Sequence, residues 1–195
     1  MMRWLAAACA LVVGLLVSDA RASVSIAVTW DGLLHESTAA ALVTPLGSQS
    51  VWENDRIYTY TRVRIDRVLA GDLAMGGEVL VRTMGGVVGH TGQLVEGEAV
   101  LGPGAASLLF VHSIPGRPAG TFDVTARGQG QFPVVADDAR APPHLVRSNT
   151  VGALVPPRLL GPVAIGPMAA DVVHGRAVDD VARDVVTAWS RTHSR

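Results

Sequence analysis

Hydrophobic and polar positions alternate most cleanly across residues 56–68. Ile57, Thr59, Thr61, Val63 and Ile65 fall on one side, and Arg56, Tyr58, Tyr60, Arg62, Arg64 and Asp66 on the other. Side chains of a strand point alternately to opposite faces, so this period of two predicts one long, half-buried strand. The turn residues Leu69-Ala70-Gly71-Asp72 close it. An apolar run over 39–46, bounded by Pro45 and Gly47, predicts the strand before it. Runs at 78–83, 107–111, 121–127 and 131–135 predict four more. Short strands at this spacing, with no long helix between them, argue for a mainly β fold, a small antiparallel barrel or sandwich, rather than βαβ units.

Helical periodicity occurs only near the two ends of this array. Trp30, Leu33 and Leu34 fall at i, i+3 and i+4, with Thr29 placed to cap and Asp31 in the first turn, predicting a short helix. Val178, Val181, Ala182, Val185, Val186 and Trp189 line one face of a second helix over 177–191. Between 137 and 167 the chain carries prolines at 142, 143, 156, 157, 162 and 167 and reads as a segment that wraps a domain without a core of its own. The predicted organisation is therefore a β-domain over 23–135, a Pro-rich wrapping segment over 136–168 and a helical segment over 169–195.

The N-terminus changes the compartment. Arg3 precedes a 13-residue apolar run at 5–17, too short to span a bilayer comfortably, and Ala20-Arg21-Ala22 follows as a small-x-small cleavage site. Residues 1–22 thus read as a signal peptide, with Ser23 the mature N-terminus and a periplasmic or extracellular destination. No other stretch approaches the length of a membrane span. The remaining residues carry 14 Arg and 16 acidic groups, a net of −2, so no basic excess draws the chain to nucleic acid or an anionic membrane.

Composition also removes chemistry. All 16 basic residues are Arg. Without Lys there is no Walker P-loop, no Schiff-base nucleophile and no Ser-Lys dyad. The one cysteine, Cys9, lies in the signal, which leaves the mature chain free of disulfides, thiolate metal sites and cysteine nucleophiles. His35-Glu36 begins an HExxH pattern, but Ala39 stands where the second histidine belongs. No serine sits in GxSxG. No cofactor and no metal site is implied.

Three features remain as candidates. Residues 85–104 hold seven glycines in twenty positions and include His90 and Gln93, with Glu96 and Glu98 beyond. His90 is the candidate base of a hydrolase or lyase, with Arg82 or Gln93 as its oxyanion or substrate contact. No helix start follows this loop, so it lacks the geometry of a phosphate cradle, and a wide hairpin accounts for its glycines. The Tyr58, Tyr60, Arg62, Arg64 stripe is the aromatic and basic face that some β-barrels present to polymers, with a protein or glycan as its expected partner. Finally, Arg127-Gly-Gln-Gly-Gln-Phe-Pro133 predicts a bulge or tight corner, its glutamines positioned to bond the backbone of the Gly-rich loop.

Trp52-Glu-Asn-Asp-Arg-Ile-Tyr-Thr59, Val68-Leu-Ala-Gly71, Val81-Arg-Thr-Met-Gly-Gly-Val-Val-Gly89, Gly92-Gln-Leu-Val-Glu-Gly-Glu98 and Gly128-Gln-Gly-Gln-Phe132, in this order, resemble a set of exported bacterial β-rich proteins of uncharacterised activity. That resemblance implies export and a β fold and carries over no catalytic residues. The strand layout is also similar to OB-like barrels, including the netrin and metalloprotease-inhibitor type, which implies modulation of a secreted protease. Those inhibitors depend on an N-terminal cysteine and on disulfides, which the expected mature chain lacks. An exported, non-enzymatic binding module is the leading expectation. The hydrolase or lyase and the protease modulator are its alternatives.

Overall fold

The computed structural model describes residues 24–138, 140–156 and 166–193. Residues 1–22, expected to be a signal peptide, lie outside these residues.

After the short strand β1 (Val24–Ile26), the helix α1 (Trp30–Glu36) starts where the Thr29 hydroxyl accepts from Gly32 N at 3.1 Å. Then come β2 (Ala39–Glu53), β3 (Arg56–Ala70), β4 (Glu78–Met84), β5 (Gly86–Val88), β6 (Thr91–Gln93), β7 (Ser107–Ser113) and β8 (Thr121–Val124). A 3-10 turn (Arg127–Gly130), β9 (Gln131–Val135), β10 (His144–Leu145), β11 (Ala153–Val155), α2 (Ala169–Val173) and α3 (Val178–His193) complete the described chain.

The main sheet runs β10-β9-β7-β2-β3-β4-β8, and β8 also pairs with β7. That last pairing closes β2, β3, β4, β8 and β7 into a five-stranded, OB-like barrel. All its seams are antiparallel except one: β4 and β8 run parallel. Closure removes the edges that an open five-stranded sheet would expose.

Two cores result. Val43, Val63, Ile65, Val81, Leu109, Val111 and Val124 fill the barrel, with Ala99 and Leu101 packed into the same cluster. Trp30, Leu34, Phe110, Phe132, Val181 and Val185 fill the space between the barrel wall and the helices. β7 is buried on both faces because Leu109 and Val111 point inward while Leu108 and Phe110 point to the helices.

Several local expectations change. β2 does not stop at Leu46 but continues to Glu53, with a bulge between Pro45 and Gly47 beside the proline that has no N–H for the ladder. The alternation in β3 holds as far as Asp66 and then reverses, as further bulges against β2 shift Leu69 to the helix-facing core. The strand predicted over 121–127 ends at Val124, because Ala126 and Arg127 both take left-handed backbone conformations, at φ +53° and +56°. Val186 lies at the edge of the α3 stripe and is exposed. The Pro-rich segment supplies two strands: β10 extends the main sheet, and β11 pairs parallel with β1.

Candidate functional site

The register of the barrel sets Gln49, Tyr60, Arg82, Asp123 and His112 opposite one another across β2, β3, β4, β8 and β7. Opposed residues share a face, and Val63, Val81 and Val111 on the same strands occupy the inner one. The row is therefore a polar belt around the outside of the barrel.

Its centre is Arg82, whose side chain is only 13% exposed. Nε and Nη2 donate to the two Asp123 oxygens at 3.0 and 2.9 Å, and Nη1 donates to Glu53 at 3.3 Å. The guanidinium also lies 4.5 Å from the centre of the Tyr58 ring. The hydrogen bonds from Arg82 to Asp123 are the main reason its pKa rises above the ordinary value, so the cation is permanent. Glu53 also receives hydrogen bonds from Tyr60 Oη and from Arg117 on the loop between β7 and β8, each at 2.5 Å. The Tyr60 bond leads the causes that lower the Glu53 pKa; burial, with the Glu53 bond beside it, raises that of Tyr60.

Two concavities adjoin this network. On one side of the Tyr60–Arg82 pair lies an open groove of about 480 Å³, lined by Gln49, Val51, Tyr60, Arg62 and Leu80. On the other lies a cleft of about 240 Å³, lined by Tyr58, Arg82, Glu98, His112, Asp123 and Arg127 among others. Glu98 is the most deeply buried of these six, at 7% exposure. Its Oε1 accepts from Ala99 N at 3.3 Å, and Arg127 Nε stands 4.0 Å from Oε2. Burial pushes the Glu98 carboxyl above the ordinary carboxylate range, outweighing these contacts.

The left-handed Ala126-Arg127 pair at the rim is held in place from several directions. Gly128 N donates to Gly97 O at 2.9 Å, and an added Cβ at Gly130 would meet Thr125 O at 2.1 Å. Gln129 accepts from Val28 N and donates to Ile26 O, and Gln131 accepts from Val100 N and donates to Val100 O. Both glutamines thus bond backbone as a neighbouring strand would, Gln131 on the Gly-rich loop and Gln129 on the β1 end. Two adjacent non-glycine residues in this conformation are costly, and such strain clusters at binding sites.

The other candidates separate. His90 is exposed at the tip of the β5–β6 hairpin and is not among the cleft residues. Gln93 Oε1 accepts from Ile57 N at 2.7 Å, tying that hairpin to β3. The hairpin lies close on its neighbours: a Cβ on Gly86 would sit 2.3 Å from Ser50 Oγ and Thr59 Oγ1. Tyr58 and Arg82 meet in the cleft, and Tyr60 and Arg62 line the groove. Arg62 pairs with Glu78, while Arg64 pairs with Asp66.

No family model, no curated protein and no solved structure matches this chain. Among the described residues no group of three or more His, Cys, Asp and Glu is placed to hold a metal, and no helix is long and apolar enough to cross a membrane.

Sequence reasoning missed Glu53, Asp123, Arg117, His112 and Arg127 as members of this belt. Glu53 had a signal: the two-residue Asn54-Asp55 turn sets a hairpin register that places Gln49, Val51 and Glu53 on the tyrosine face. Asp123 had none, because its pairing with Arg82 depends on a parallel contact between strands 41 residues apart.

Proposed function

We propose that the protein is an exported, non-enzymatic module that binds a glycan along the outer face of β3 and β4. The observation carrying this reading is a pair of concavities on one polar belt, the groove lined by Tyr60 and the cleft by Arg82, the residue opposite it on β4. Sugars are recognised by aromatic surfaces together with hydrogen-bonding groups that both donate and accept. Tyr58, Tyr60, Arg62, Gln49 and Asp123 supply that mixture here. OB-like barrels bind oligosaccharides and oligonucleotides on the face of their second and third strands, between the loop joining the first two and the loop joining the last two. In this chain those strands are β3 and β4, and the loops carry Asn54-Asp55 and Arg117. The absence of a basic excess favours glycan over nucleic acid. Export rests on the Arg3, apolar-run and Ala20-Arg21-Ala22 pattern.

The test is an array of neutral and acidic oligosaccharides probed with the purified protein and with the Tyr58→Ala/Arg62→Ala variant. The expected result is binding by the wild type and a loss of at least about tenfold in the variant, with its melting transition retained. Equal binding by the two proteins would remove this face as the site.

The belt favours binding over catalysis. Its most deeply placed cation, Arg82, is committed to Asp123 and Glu53, and His90 stands apart on the hairpin tip.

A further inference from the structure

Resting on that reading, we infer that the cleft beside Glu98 is an end pocket that takes a single uncharged sugar unit at the terminus of the bound chain and rejects an acidic one. Three observations lead there.

The first is shape. The groove on the Gln49–Tyr60–Leu80 side is open and about 480 Å³, suited to a chain passing through. The cleft is half that volume, at about 240 Å³, and the Ala126-Arg127 turn stands at its rim. A chain running from groove to cleft across the Tyr60–Arg82 pair therefore ends there.

The second is the balance of charge. Arg82 and Arg127 face Glu98 and Asp123, with His112 beside them. Two cations against two carboxylates leave no net attraction for a charged ligand; with Arg82 and Asp123 bonded to each other, Arg127 is left to donate and Glu98 to accept. Hydroxyl groups, which both donate and accept, match such a lining; a carboxylate does not, because Arg82 is already occupied by Asp123 and Glu53.

The third is that Glu98 stays buried against a desolvation cost. A buried carboxylate in a cleft, bonded by backbone N–H groups and met by Arg127 only at 4.0 Å, keeps lone pairs with which to accept hydrogen bonds from an incoming ligand. The same buried negative charge repels an acidic end unit.

The experiment uses matched oligosaccharides that differ only in their non-reducing terminal unit, a neutral hexose in one and the corresponding hexuronate in the other. The wild-type protein is expected to bind the neutral member at least about tenfold more tightly. Glu98→Gln keeps the shape and removes the charge, so it should narrow that preference by at least about threefold, and Arg127→Ala should weaken the neutral ligand. Neutral and acidic ends bound equally by the wild type, or a preference unchanged in Glu98→Gln, would overturn the end pocket while leaving groove binding intact. Binding of no oligosaccharide at all would overturn both readings.

Discussion

Glu98 shows most directly how a single residue sets stability against function. Its carboxyl is buried beside the barrel, its pKa is raised chiefly by desolvation, and the Ala99 N–H and the Arg127 cation only partly offset that. A group whose folded pKa lies above its unfolded value stabilises the fold below the unfolded pKa. That contribution is lost as pH rises through the folded value. Wild-type stability should therefore fall, relative to Glu98→Gln, as pH climbs from about 4 toward neutrality. Thermal melts of the two proteins between pH 4 and 8 check this: the expected result is a higher melting temperature for Glu98→Gln at pH 7 and no advantage at pH 4. The sequence displayed Glu98 as one acidic residue in a glycine-rich loop. Nothing in that local pattern distinguishes a buried carboxylate from a solvated one, because burial here depends on Gly97 and Gly128 meeting across 31 positions.

At the scale of elements, legibility followed locality. The β3 alternation, the Thr29 cap, β9 and α3 could all be read from neighbouring residues, since period and capping are local signals. The bulges were not readable: each inserts one residue and reverses the phase, and only the partner strand reveals it. The glutamines lie between these cases. Their type and spacing marked them as backbone partners, but only the fold assigns Gln131 to Val100 and Gln129 to Val28. Gln131, itself buried, substitutes for a strand neighbour by bonding both the N–H and the C=O of Val100, so Gln131→Leu should cost about 1–3 kcal/mol. Chemical denaturation measures that loss. Hydrogen exchange should accelerate first at Val100, ahead of the barrel strands.

The whole molecule is a closed barrel with one wall shared by two cores, and that sharing explains why the site is where it is. Helices α1 and α3 pack on the far side of β7 and β9, with Trp30 edge-on to Phe110 and Phe110 edge-on to Phe132. α3 also meets the C-terminal end of β3, where Arg67 pairs with Asp179 and Leu69 joins the helix-facing core, and the Tyr60–Arg82 belt lies farther along β3 and on β4. Closure through the parallel β4–β8 seam then brings Asp123 to Arg82 and opens the cleft beyond the pair. A mainly β fold was legible in the strand spacing. The seam was not, because a parallel pairing leaves no turn signature between its strands.

Binding at the Tyr60–Arg82 face of β3 and β4 is measured by titrating isotope-labelled protein with the neutral-ended oligosaccharides and following backbone amide shifts. The account predicts saturable shifts at Gln49, Tyr58, Tyr60, Arg62, Arg82 and Glu98, with α3 unmoved. Shifts confined to the His90 hairpin or to α3, with the β3–β4 face silent, would contradict it.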